Sequence, residues 1–177
     1  METVSSAFRK HLELEPTGKL SLMGEACCTA ERMDAYVRRR NPQAPEIAES
    51  YLRLGKRYGI RGDVAYCQMV YDTRCWALDI MGPSWCQILL IEGAEETAID
   101  VHMQLLYTFA SKEILRQEAD MAKRPIAWIE RSGWRGRGGC WEDLNGKWSH
   151  SGNLSYGQDI VAIWRNMQEW RGAGRLR

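Results

Sequence analysis

Between Asp63 and Asp72 the chain reads VAYCQMVY, eight residues without a charge. Asp63 can cap a helix over 64–75, and such a helix leaves almost no polar surface on any side. A helix that is apolar nearly all round belongs in an interior, so other elements must enclose it. Asp72 stands near the far end of that helix, where a carboxylate is open to three readings. It can be a catalytic acid, a solubilising helix end, or the remnant of a catalytic acid.

The flanking pattern supplies the enclosing elements. Thr29 can cap a helix running to about Arg40, with Glu31 in its first turn and three arginines (Arg38, Arg39, Arg40) at its C-terminal end, as the helix dipole prefers. Asn41-Pro42 breaks it. Ile47, Tyr51, Leu54 and Tyr58 at helical spacing predict a second helix over 45–58, stopped by Gly59. Residues 77–93, with Gly82-Pro83 and the run QILLIEG, read as irregular or β-like. A strong helix is predicted over 94–111, with a possible helical continuation through 112–123 to Arg124-Pro125. The Gly/Trp/Arg-rich segment 131–148 reads as loop. Ser155 and Gln158 match a capping box, and Ile160, Ile163, Trp164, Met167 and Trp170 then form one apolar stripe. The expectation is a mainly α (α+β) fold: one domain over 23–177, with 1–22 as a loosely attached lead-in.

Composition narrows the function classes. The 177 residues carry 24 basic and 23 acidic side chains, a net charge of +1. That balance offers no bulk attraction to nucleic acid or anionic lipid. No apolar run approaches the roughly 18 residues of a membrane span. The first twenty residues are charged throughout and resemble no secretory signal, so a cytoplasmic protein is expected. Cys27, Cys28, Cys67, Cys75, Cys86 and Cys140 show no CxxC or zinc spacing, and free thiols fit a reducing compartment.

Few motifs carry chemistry on their own. Arg131, Arg135 and Arg137 interleave with Trp134 and Trp141, a pattern usable on single-stranded nucleic acid. Without a wider basic field, a glycine-rich surface loop is the better reading. His11, His102 and His150 lack ligand spacing, and structural or surface roles are expected for them. Phosphate-loop, dinucleotide and nucleophile-elbow patterns are absent from the sequence. Neither a metal nor a cofactor is expected.

Two longer blocks carry a resemblance. GIRGDVAYCQMVYDT (59–73) resembles GIRGDIAFAQAIHETG of the glucosaminidases of glycoside hydrolase family 73, and WEDLNGKWSHSGNLSYGQDIVAIW (141–164) resembles their WEDLNGKWAVPGTTYGQKILAIY. ACCTAERMDAYVRRRNPQAP and HMQLLYTFAS agree more loosely with the family's opening helix and its QIQHLKAYAS. The resemblance spans most of 26–165 and implies a lysozyme-like fold, with two helical lobes around a groove and at most a small β-hairpin. It also implies cleavage of the β-1,4 bond between N-acetylglucosamine and N-acetylmuramic acid in peptidoglycan. A glutamate at the end of a buried helix is the family's general acid, and Asp72 stands in its place.

The chain departs from that pattern at the site. HETG becomes Tyr71-Asp72-Thr73-Arg74, with a carboxyl one methylene shorter and a bulky cation in place of glycine. Misplacement by about 1 Å costs on the order of a hundredfold in rate, and pairing with Arg74 would lower the acid's pKa. The family's NNFAGLGATGGG is replaced by the bulkier 83–93. These changes favour a pseudoenzyme whose altered cleft binds a small, anionic or glycan-like ligand in the cytoplasm, for example in phage or host defence. Tyr71, Arg74, Trp76, Trp85, Gln87, Glu92 and Tyr156 are the candidate ligand-binding residues. Core packing is the plain alternative for the tryptophans. An active phage lysin using Asp72 is the second functional reading, and an interaction or oligomer-forming protein the third. Asp79, Glu92, Glu95 and Glu96 are the carboxylates within sequence reach for a second catalytic group. An active enzyme requires Asp72 to be unpaired with Arg74.

Overall fold

The computed structural model describes residues 19–76, 93–148 and 153–170. Six α-helices and one short 3-10 helix build the described residues, with no strand among them. Helix α1, Ala30–Arg38, starts where expected: Thr29 accepts a hydrogen bond from the Arg32 backbone N–H, and Met33, Tyr36 and Val37 are buried. Helix α2, Ala48–Tyr58, begins three residues later than Pro45 and ends at Gly59, whose φ is 68°. Its start is set from outside, because Asp34 of α1 accepts the Ala48 N–H at 3.3 Å.

Helix α3, Gly62–Asp72, is the buried helix that the uncharged run predicts, with every residue from Gly62 to Val70 buried. Asp63 is not its N-cap. The helix begins two residues earlier than 64, at Gly62, and ends three residues short of 75, and Asp63 lies fully buried in the first turn. Glycine explains the shift. A Cβ on Gly62 would stand 2.4 Å from the Tyr51 carbonyl oxygen, and one on Gly55 2.7 Å from the Gly62 Cα. Helices α2 and α3 therefore meet backbone to backbone, as only residues without a Cβ allow.

Helix α4, Glu95–Ala110, buries ten of its residues, His102 and Gln104 among them. It ends at Ser111, and 111–119 is not helical. Helix α5, Asp120–Arg131, instead runs through Pro125, where a stop was expected. Proline leaves one helix carbonyl without its donor, while Ala122, Ile126 and Ile129 keep one face of the helix buried.

The segment 131–148 is less open than its glycines suggest. Trp141–Leu144 forms the 3-10 helix, with Trp141 fully buried. Arg135 holds Glu130 at 2.7 Å and the Glu113 carbonyl at 2.9 Å, while Trp134 packs on Phe109 and Trp128. Much of the Arg/Trp pattern thus serves internal contacts.

Helix α6, Tyr156–Glu169, begins at Ser155, but Ser155 makes no side-chain cap. The expected capping box does not form. Asn145 replaces it from outside the helix, accepting the Gly157 N–H at 2.7 Å and donating to Gln158 at 2.8 Å. Ile160, Ile163 and Met167 of the predicted stripe are buried.

Leu22, assigned by sequence to the lead-in, is fully buried. Its N–H donates to the Gly139 carbonyl and its carbonyl accepts from Arg61. The β-like reading of 77–92 lies outside the described residues. No described helix is long and apolar enough to cross a membrane.

Candidate active site

Asp72 ends α3 half-buried, at the rim of the core that the helix fills. The Tyr156 hydroxyl donates to both its oxygens, at 2.8 and 2.9 Å, and the Trp148 indole N–H donates to Oδ2 at 3.2 Å. Crowding by protein removes water from the carboxyl and pushes its pKa from 3.8 up to about 7. The two hydrogen bonds oppose that rise, because they favour the ionised form.

Arg74 does not take part. It is exposed, and the side chains that hold Asp72 are Tyr156 and Trp148 instead. Backbone geometry explains where it goes. The Cys75 N–H donates to the Val70 carbonyl and the Arg74 N–H to the Tyr71 carbonyl, the paired bonds of a Schellman helix end. Arg74 has φ 46°, followed by Cys75 at 64° and Trp76 at 59°. Glycine is the residue that adopts this conformation without cost, so Arg74→Gly should stabilise the fold by about 1 kcal/mol. A urea midpoint that stays unchanged or falls would refute this.

The other sequence candidates separate. Tyr71 and Tyr156 pack edge to face at 5.4 Å, and the Tyr71 hydroxyl donates to Asp159 and accepts from Asn153. Trp76 is buried against Tyr66, so core packing describes it, not a cleft wall. Trp85, Gln87 and Glu92 lie outside the described residues, as does Asp79. Glu96 pairs with Arg53 at the surface. No three described His, Cys, Asp or Glu side chains converge as a metal site.

Trp148, Gln68 and His102 belong to the site without having been singled out for it. The Gln68 amide donates to Tyr156 at 2.9 Å, and the His102 ring touches both Gln68 and Tyr51. For Gln68 the signal was present: it is the one amide in the uncharged run, and buried polar groups are hydrogen-bonded.

The raised pKa has a sign in stability. A carboxyl that is harder to ionise when folded stabilises the protein fully below pH 4, and that contribution is lost as pH rises through about 7. Three units at 1.4 kcal/mol each bound the effect at roughly 4 kcal/mol, and partial exposure reduces it to about 2. Asp72→Asn should therefore gain about 2 kcal/mol over wild type between pH 4 and pH 8 in urea unfolding. A pH-independent difference would show that the carboxyl is not held neutral.

Sequence comparison with protein families and curated proteins, and fold comparison with solved structures, found no match.

Proposed function

We propose that this protein is a glycoside hydrolase of the glucosaminidase type, acting on the β-1,4-linked amino-sugar chain of peptidoglycan, with Asp72 as general acid. The observation that carries this is the placement of Asp72: half-buried at the end of α3, unpaired with Arg74, and crowded by protein in a way that pushes its pKa up to about 7. Cleaving a glycosidic bond requires an acid that is still protonated near neutrality to donate to the leaving oxygen. A lysozyme-like arrangement of two lobes around a groove is the architecture this reading requires.

The test is muropeptide release from purified sacculi by wild type and Asp72→Asn. New reducing ends from wild type that vanish in the variant support the assignment. Silence from a folded wild type overturns it.

A second reading rests on the shorter side chain. Both Asp72 oxygens accept from inward donors, and one missing methylene sets the carboxyl back from any substrate. On that reading the protein binds its glycan or another small anionic ligand without cutting it. A silent wild type whose Asp72→Glu variant releases muropeptides would establish it.

A further inference from the structure

Four helices each send one buried polar side chain into a single chain of hydrogen bonds that ends on Asp72. Tyr51 of α2 meets His102 Nδ1 of α4 at 3.1 Å, and His102 Nε2 meets Gln68 Oε1 of α3 at 2.8 Å. Gln68 Nε2 then donates to the Tyr156 hydroxyl of α6 at 2.9 Å, which donates to Asp72 at 2.8 Å. Tyr51, His102 and Gln68 are fully buried, and Tyr156 nearly so. Buried polar groups set in line across a core are costly unless each is satisfied, so their alignment calls for an account.

The direction of every proton follows from donor chemistry. An amide nitrogen only donates and an amide oxygen only accepts. With Gln68 Nε2 on Tyr156, its Oε1 faces His102, so His102 Nε2 must carry a hydrogen. Burial drives the His102 pKa down to about 3, so the ring is neutral and Nδ1 is bare. Tyr51 therefore donates to Nδ1. Tyr156 accepts from Gln68, and its single proton goes to Asp72. The indole of Trp148 is also a donor.

We propose that Tyr51, His102, Gln68 and Tyr156 form a one-way array of positioning residues that fixes the Tyr156 proton on Asp72 and so tunes where Asp72 titrates. The Trp148 indole is a donor only and cannot accept a proton from the acid. The Tyr156 oxygen, 2.8 and 2.9 Å from the two Asp72 oxygens, both donates to the carboxyl and has a lone pair beyond the one that Gln68 uses. The catalytic use of this arrangement rests on the hydrolase reading; the array itself does not.

Among the described residues, the ionisable groups that face the array are Tyr66 of α3, edge-on to Tyr51, and Tyr71 of α3, edge-on to Tyr156 and bonded to Asp159 of α6. Exposed Arg74 follows the helix end. Burial pushes the Tyr66 and Tyr71 hydroxyls up, so neither charges near neutrality.

Two measurements on the isotope-labelled full chain test this without an activity assay. Long-range proton–nitrogen spectra of His102 should show the neutral Nε2–H form from pH 4.5 to 8.5. The Nδ1–H form, or a titration within that range, overturns the proposal with no variant needed. Carbon-detected titration of the Asp72 carboxyl should move up by about one unit in Tyr156→Phe, as the ionised form loses a charge-assisted donor. It should rise by a smaller amount in Gln68→Met, where Tyr156 loses its partner but keeps its hydroxyl. An Asp72 midpoint unchanged in both variants overturns the array, whichever form His102 takes. Silence in the sacculus assay with these shifts present removes the hydrolase reading alone.

Discussion

Asp72→Asn should release muropeptides about two to four orders of magnitude more slowly than wild type, the usual contribution of a positioned general acid. Asparagine keeps the size of the side chain and can still accept from Tyr156 or Trp148, so the variant should fold. What it lacks is a proton to give. Wild-type activity should accordingly be highest on the acid side and fall as pH rises through about 7, where the carboxyl ionises and can no longer donate. The sign separates an acid from a base or nucleophile, either of which would gain activity over the same range. A rate profile that rises through pH 7, or an asparagine variant within about tenfold of wild type, would remove Asp72 from the role.

Much of this was legible in the chain, and the exceptions have identifiable causes. The uncharged run between Asp63 and Asp72 announces a central helix because burial on all sides needs no knowledge of neighbours. Gly59 and Thr29 mark helix ends by local chemistry, and both do so in the structure. The start of α2, the capping of α6 and the passage of α5 through Pro125 were misjudged because tertiary packing overrides local signals. In the first two, the deciding groups (Asp34 and Asn145) come from elsewhere in the fold, and in the third a buried face overrides a local breaker. Position 74 behaved in the opposite way. The sequence sets an arginine beside the acid, but a Schellman turn carries it past the helix end with φ 46° and leaves Asp72 unpaired. Proximity in sequence was a poor guide there because the backbone reverses its hand within two residues. Trp148 and His102 lie far from Asp72 along the chain, and no local rule could have brought them to it.

Asp63 should prove more important to stability than any other charged residue of α3. It is fully buried, yet its carboxylate accepts four hydrogen bonds: the Cys27 and Trp164 N–H groups at 2.8 Å, the Cys28 N–H at 3.3 Å and the Val64 N–H at 3.0 Å. One side chain thereby ties the segment before α1 and the middle of α6 to the first turn of α3. Negative charge in that first turn also suits the helix dipole. Asp63→Leu would leave the buried Cys28 N–H and the part-buried Cys27 and Trp164 N–H groups without this acceptor. Removing one side of such an arrangement costs about 4 kcal/mol, a large share of the roughly 5–15 kcal/mol that holds a domain together. At this chain length each 1 kcal/mol shifts Tm by about 2–4 °C, so a fall of about 8–16 °C is expected. Asp63→Asn, which keeps one accepting oxygen but turns an amide N–H₂ toward donors, should lose about half as much. If Asp63→Leu melted within about 3 °C of wild type, the four donors would have found water instead, and the junction at the start of α3 would be far wetter than its burial implies.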